Sequence, residues 1–147
     1  MPVAFGFIAG TKVSTAGGAV DIESLGVGDL VLAWDLSASK AVSRTVAAVW
    51  AEPVDQLVAV DGGEVLLAGT TPGTAVWDAF EGTFRGAGSL STAGELLVWD
   101  GPDTHVVPID DLPERAADGA KVWHLTLDGD EGTFFADRVL VRHRESM

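Results

Sequence analysis

Cysteine, asparagine and tyrosine are absent from this 147-residue chain, and lysine occurs only at Lys12, Lys40 and Lys121. Without cysteine there are no disulfides, no thiolate metal sites and no thiol nucleophile. Without asparagine, no side-chain amide of that residue can attack its own backbone carbonyl. Gln56 is the single glutamine. The few cations face 22 acidic residues, which leaves a formal net charge of −13. Such a surface repels phosphate backbones and anionic lipid, so neither nucleic acid nor a membrane is an expected partner. The acidity itself serves solubility. Long apolar runs are missing too. The apolar start, Met1–Ala9, has no basic leader and is too short to span a bilayer. It reads as a buried strand and not as a signal peptide. The expected location is cytoplasmic, or inside a particle assembled after cytoplasmic synthesis.

What the chain does contain is apolar residues, at 47%, and 18 glycines. That composition suits one domain (1–147) with one core, built from many short strands and tight turns. Ala16-Gly17-Gly18 sits between alternating segments 11–15 and 18–22, and Asp61-Gly62-Gly63 between 54–60 and 64–68. Both are hairpin signals. Further strands are expected at 30–34, 40–50 (with Pro53 interrupting beyond), 95–99, 105–109, 121–127, 132–135 and 138–142. Asp21–Leu25 reads as a loop or a short helical turn. Asp110–Asp118 is the one plausible longer helix, with Pro113 in its first turn. In the Gly-, Thr- and Ser-rich span 69–94, Trp77, Phe80 and Phe84 are expected as core anchors.

One internal echo is visible. Gly28-Asp29-Leu30-Val31-Leu32-Ala33-Trp34-Asp35 and Gly94-Glu95-Leu96-Leu97-Val98-Trp99-Asp100 share a scheme of glycine, acid, apolar run, tryptophan and aspartate. It is either chance likeness of two turn-plus-strand units or a duplicated half-domain. The extra residue in the first copy means that the two tryptophans need not face the same way.

Four ordered segments then carry a resemblance. They are Phe7-Ile8-Ala9-Gly10-Thr11-Lys12-Val13, Asp21 to Ala33, Thr70-Thr71-Pro72-Gly73-Thr74-Ala75-Val76-Trp77, and the closing set Val122–Leu127, Thr133–Ala136 and Val139–His143. Together they resemble the Hint (Hedgehog/intein) family across nearly the whole chain. The family opens with Cys or Ser before Phe-x-x-Gly-Thr-x-Val, continues with Ile-Glu-x-Leu-x-x-Gly-Asp-x-Val-Leu and Thr-Pro-x-His-Pro-Phe-Trp, and closes on Val-Leu-Val-His-Asn. The resemblance implies an all-β horseshoe of short twisted antiparallel strands with pseudo-two-fold halves, here roughly 5–60 and 63–143, and at most one or two short helices.

The chemistry the family performs needs three groups, and this chain departs at each. A nucleophile must attack the preceding carbonyl. The matching residue is Gly6, and Thr11, Ser14 and Thr15 do not precede the motif. A proton donor must serve the departing amide nitrogen. The family's His falls on Thr74, whose hydroxyl carries no ionisable proton near neutral pH. Thr71 matches the family's threonine, and a strand-end hydrogen bond explains it better than a catalytic role does. The third group, the cyclising asparagine, is replaced within Arg142-His143.

His124 falls where the family often has an assisting Asp. It is either a leftover acid–base group or a satisfied, partly buried histidine. His105 is expected at the surface and His143 solvated near the end of the chain. Three scattered histidines do not make a metal site. Asp128-Gly129-Asp130-Glu131 lacks the spaced ligands of a calcium loop and reads as an Asp-Gly hairpin turn. No phosphate-binding or nucleophile-elbow motif is present.

The sequence therefore points to a non-catalytic, degenerate Hint-like domain without cofactor or metal. Its expected role is structural or protein-binding, with a protein partner or as a homo-oligomer, for instance within a phage particle. Little sequence flanks the matched span, which leaves little to splice. Natural degeneration explains the losses better than engineered inactivation, since removing every Asn and Cys exceeds what inactivation needs. The alternative is a residual self-processing domain using water or a substitute nucleophile, with His124 and Thr71 as its remaining site.

Overall fold

Alternating apolar residues and glycine-rich turns do build an all-β molecule. The computed structural model describes residues 5–101 and 103–143. Residues 1–4 of the expected first strand, and Pro102 of the expected 100–103 turn, lie outside the described residues. Strands run at β1 (Lys12–Thr15), β2 (Gly18–Asp21), β3 (Leu30–Asp35), β4 (Lys40–Pro53), β5 (Leu57–Asp61), β6 (Leu66–Thr70), β7 (Ala75–Asp78), β8 (Thr83–Gly86), β9 (Glu95–Trp99), β10 (Thr104–Pro108), β11 (Glu114–Arg115), β12 (Lys121–Leu127), β13 (Thr133–Ala136) and β14 (Val139–Arg142). The helical content among the described residues is two 3₁₀ turns, Ile22–Ser24 and Ala87–Ser89.

The largest sheet has the order β10-β9-β7-β14-β13-β1-β2, with β8 added on β7. Two three-stranded sheets, β11-β5-β6 and β12-β4-β3, complete the fold. β4 is long because it serves two partners. Lys40–Thr45 pairs with β3, and Val46–Pro53 pairs with β12. Pro53 thus ends the strand opposite Lys121 and does not cut it short.

Both faces of β13 and β14 are buried. Successive side chains of a strand point to opposite faces. Phe134, Val139 and Val141 enter the main core with Phe7, Val13, Ile22, Leu67 and Leu96. Phe135 and Leu140 enter a second cluster with Trp34, flanked by Trp77 and Trp99. The two echoing segments meet there. Trp34 and Trp99 lie edge to face with ring centroids 6.4 Å apart, and both rings touch Phe135.

The turn between β13 and β14 has only two residues, and both Asp137 (φ 47°) and Arg138 (φ 72°) are left-handed. Side chains with a Cβ resist that conformation, at about 1–3 kcal/mol each. Hydrogen bonds hold them in it. Asp137 Oδ1 accepts from Lys12 N at 2.9 Å and Oδ2 from Ala68 N at 3.3 Å. Arg138 Nε donates to Trp99 O at 2.8 Å. The turn therefore ties β1, β6 and β9 to one point. Burial pushes the Asp137 carboxyl above its ordinary range, against the pull of both N–H groups and of Lys12. Asp137→Ala is expected to lower stability by about 2 kcal/mol, through two charge-assisted hydrogen bonds and the poorer fit of alanine to the turn. Urea unfolding with an unchanged slope and a lower midpoint would show this; an unchanged midpoint would refute it.

Four expectations are corrected. Residues 110–118 are not a helix. Glu114 and Arg115 pair with Val58 and Leu57, and Asp61 N and Ala59 N donate to Asp111 O and Pro113 O. The open edge of β5 takes this segment as a strand, and Leu112 alone supplies no apolar helix face. The span 69–94 contains a β7–β8 hairpin that sequence reading passed over. At its tip Phe80 is 66% exposed, so it is no core anchor. Asp128–Glu131 is not a hairpin turn, because β12 pairs with β4 and β13 with β14. The loop is clamped instead by Arg44, whose Nε and Nη2 donate to Glu131 Oε1 and Oε2 at 2.7 and 2.9 Å. That pairing also occupies the carboxylate a calcium site would need, and Arg44 holds the Glu131 carboxyl below its ordinary range. The fourth concerns His143, at the site.

Among the described residues no helix is long and apolar enough to cross a membrane.

Candidate functional site

The short extended stretch at Gly6–Ile8 is wedged between β12 and β6. Phe7 N donates to Trp123 O at 3.1 Å, Trp123 N returns a bond to Phe7 O at 2.8 Å, and Ile8 N donates to Gly69 O at 3.1 Å. Phe7 drops into the core against Phe134, edge to face at 5.7 Å. This anchoring fixes Gly6 beside the loop Thr71-Pro72-Gly73-Thr74, which turns back on itself through Thr74 N donating to Thr71 O at 3.1 Å.

Three buried threonines converge on the Gly6 backbone. Thr70, Thr71 and Thr74 are each at most 2% exposed. Thr70 Oγ1 donates to Gly6 O at 2.6 Å, and Thr71 N donates to the same oxygen at 3.3 Å. Gly6 N donates to Thr74 Oγ1 at 3.0 Å. Thr74 Oγ1 also lies 2.9 Å from Thr71 Oγ1 and 3.4 Å from Gly6 O. The hydroxyl in the proton donor's place thus turns a lone pair toward the amide nitrogen that a donor would have to protonate. It accepts from that nitrogen.

Gly6 itself has φ +152°, and a Cβ built on it would stand 2.8 Å from Val122 Cγ2 and 3.0 Å from Trp123 O. Real Cβ atoms do not approach that closely, so the space a nucleophilic side chain would leave from is occupied.

The other expected positions do gather here. Gly6, His124, Arg142 and His143 line one cavity of about 10 Å³ together with Phe5, Phe7, Leu125 and Phe134. That volume is at the lower limit for a single water. His124 is buried on β12. Its side chain is 1% exposed, with Nε2 3.1 Å from Glu52 Oε1 on β4. Its ring stacks on Trp50, its cross-strand neighbour, at 5.1 Å and 14°. The Arg142 guanidinium lies 4.4 Å over the Phe84 ring, which meets Trp77 edge to face at 5.0 Å. His143 is not a solvated terminal residue. Its Nδ1 accepts from Leu127 N at 3.0 Å, and its own N donates to Gly132 O at 2.8 Å. It closes the end of β12, a role its place near the C-terminus did not signal.

Sequence reading also missed a cleft of about 530 Å³ beside Thr71, walled by Pro53, Val54, Asp55 and Gln56 from the β4–β5 connection and by Pro72 and Gly73. Each of its two walls carries one proline, Pro53 and Pro72. His105 lies apart from this site, on β10 with its side chain 36% exposed. Among the described residues no group of three or more His, Cys, Asp or Glu side chains is arranged to hold a metal.

An all-β fold in this order, with its first motif wedged against the Thr-Pro loop and the closing strands, is the Hint fold of inteins. Solved structures agree over the whole chain. It is similar to a bacterial intein-like domain from Clostridium thermocellum, with a TM-score of 0.82 and 26% identity over 95% of this chain and 98% of that one. It is likewise similar to a DnaB intein from Synechocystis sp. PCC 6803, with a TM-score of 0.86 and 16% identity over 97% and 100%. The gp41-1 intein matches with a TM-score of 0.76 and 16% identity over 95% and 99%. No family model and no curated protein sequence matches the chain.

Proposed function

We propose that this chain is a non-catalytic Hint-like module that works as a structural or protein-binding domain. One observation carries the reading. The backbone of Gly6 is held by three threonines, and the space beyond its Cα is filled by Val122 and the Trp123 carbonyl. A side chain there must displace its neighbours before it can attack anything. The threonines act as a clasp on the first motif, where a reacting site would need a mobile nucleophile and a proton donor. His124, Arg142 and His143 support the same reading, since each already has a packing or hydrogen-bonding task. The partner is a protein or a second copy of the chain, and a place within a larger particle suits a small, acidic, chemically inert domain. In this reading the chain is one domain whose halves meet at Trp34 and Trp99.

Intact-mass spectrometry of the chain with short extensions at both ends tests it. A single unchanged mass over days is expected. Time-dependent cleavage beside Gly6 or His143 would establish the self-processing alternative instead. Light scattering on the same sample, followed by pull-down, distinguishes a second copy from a different partner.

A further inference from the structure

The β5–β6 loop, residues 62–65, lies against the β9–β10 hairpin. A Cβ on Gly62 would stand 3.0 Å from Val65 and 3.1 Å from both Leu96 and Val107. The loop thus roofs this corner of the core, where Val65, Leu96 and Val107 are 5%, 0% and 7% exposed. Within the loop, Gly62 N donates to Val65 O at 2.9 Å and Glu64 N to Gly62 O at 3.0 Å. His105 shares the face of β10 that carries Val107, because alternate residues of a strand point the same way.

His105 reaches across the seam. Its Nδ1 lies 2.8 Å from Asp100 Oδ2, at the end of its own hairpin. Its Nε2 contacts Glu64 Oε1, in the loop. An ionised carboxylate only accepts, so both ring nitrogens must carry protons for both contacts to be hydrogen bonds. The bridge is complete only as an imidazolium between two carboxylates. We propose that His105 is a proton-operated clasp, which fastens the β5–β6 loop over the core and releases it when the ring loses its second proton.

The charged groups acting on the ring are Glu64 from the loop and Asp100 from the hairpin. The neighbouring Asp103 carboxylate turns to Thr104 N instead, at 2.8 Å. The Glu64 hydrogen bond first, and the Asp100 hydrogen bond second, raise the ring above its ordinary value of 6.5. A group raised on folding contributes stability that is fully present below its unfolded value, about 6.5, and is lost as pH climbs through the folded value. The clasp is therefore closed on the acid side of that window and open on the alkaline side. After deprotonation one ring nitrogen turns a lone pair toward a carboxylate, and the contact becomes repulsive.

The test is an NMR titration of the His105 ring from pH 5 to 9 in the wild type, Glu64→Gln and Asp100→Asn. Amide exchange at Gly62 and Glu64, corrected for intrinsic rates, is measured alongside. His105 is expected to titrate above 6.5 and to fall in both variants, more in Glu64→Gln. Protection of the loop amides is expected to drop several-fold as pH passes the ring's titration, and to be low and pH-independent in His105→Gln. A ring that titrates at the ordinary value, or is unmoved by Glu64→Gln, overturns the proposal. So does loop protection that is identical in His105→Gln and wild type across the range.

Discussion

Gly6→Cys is expected to lower stability by about 3 kcal/mol and to leave the chain uncleaved. Two costs add. The first is conformational: Gly6 sits at φ +152°, which a residue with a Cβ rarely adopts. The second is steric, since the new Cβ would meet Val122 Cγ2 at 2.8 Å and the Trp123 carbonyl oxygen at 3.0 Å. Val122 can yield, but Trp123 O is tied to Phe7 N. The pair Gly6→Cys with Val122→Ala is therefore expected to gain back no more than the steric share. Thermal or urea unfolding measures the loss, and intact mass reads cleavage. A Gly6→Cys chain as stable as the wild type would show that the space is open. A chain that cleaves at that cysteine would show that the scaffold still supports the reaction, and the clasp reading would fail.

Phe135→Ala is expected to cost about 3–5 kcal/mol, which is a large share of the stability of a domain this size. Phe135 is fully buried between Trp34 and Trp99, with ring centroids at 6.1 and 5.4 Å. Removing its ring leaves a cavity that neither tryptophan can fill without leaving its strand. At roughly 2–4 °C per kcal/mol, the melting temperature should fall by roughly 6–20 °C. The near-UV signal of Trp34 and Trp99 should weaken with it. A loss under about 1 kcal/mol would mean that the cluster closes over the gap and that the two echoing strands do not depend on this contact.

These effects differ in how far they are legible before folding. Turns were readable where the information is local. Ala16-Gly17 and Asp61-Gly62-Gly63 sit in the hairpins their composition implies, because turn geometry depends on which few residues tolerate it. The left-handed Asp137-Arg138 turn was not readable, because neither residue prefers that conformation as glycine does. Its hydrogen bonds come from Lys12, Ala68 and Trp99, all far along the chain. Residues 110–118 failed for a related reason. Their own pattern read as a helix, and the unfilled edge of β5 decided the outcome.

At the site the division is sharper. The absence of Cys and Asn, and of a side chain at position 6, follows from the sequence alone. A missing atom is missing in every conformation, and the ordered motifs named Gly6, His124, Arg142 and His143, which line one cavity. Only the tertiary structure decided what surrounds those positions. Val122 and Trp123 occupy the space beside Gly6, Thr74 accepts from the Gly6 nitrogen, and His143 caps the end of β12. Each of those facts depends on distances between residues remote in sequence. Such distances are set by how the sheets pack, and no local pattern of residue types encodes them.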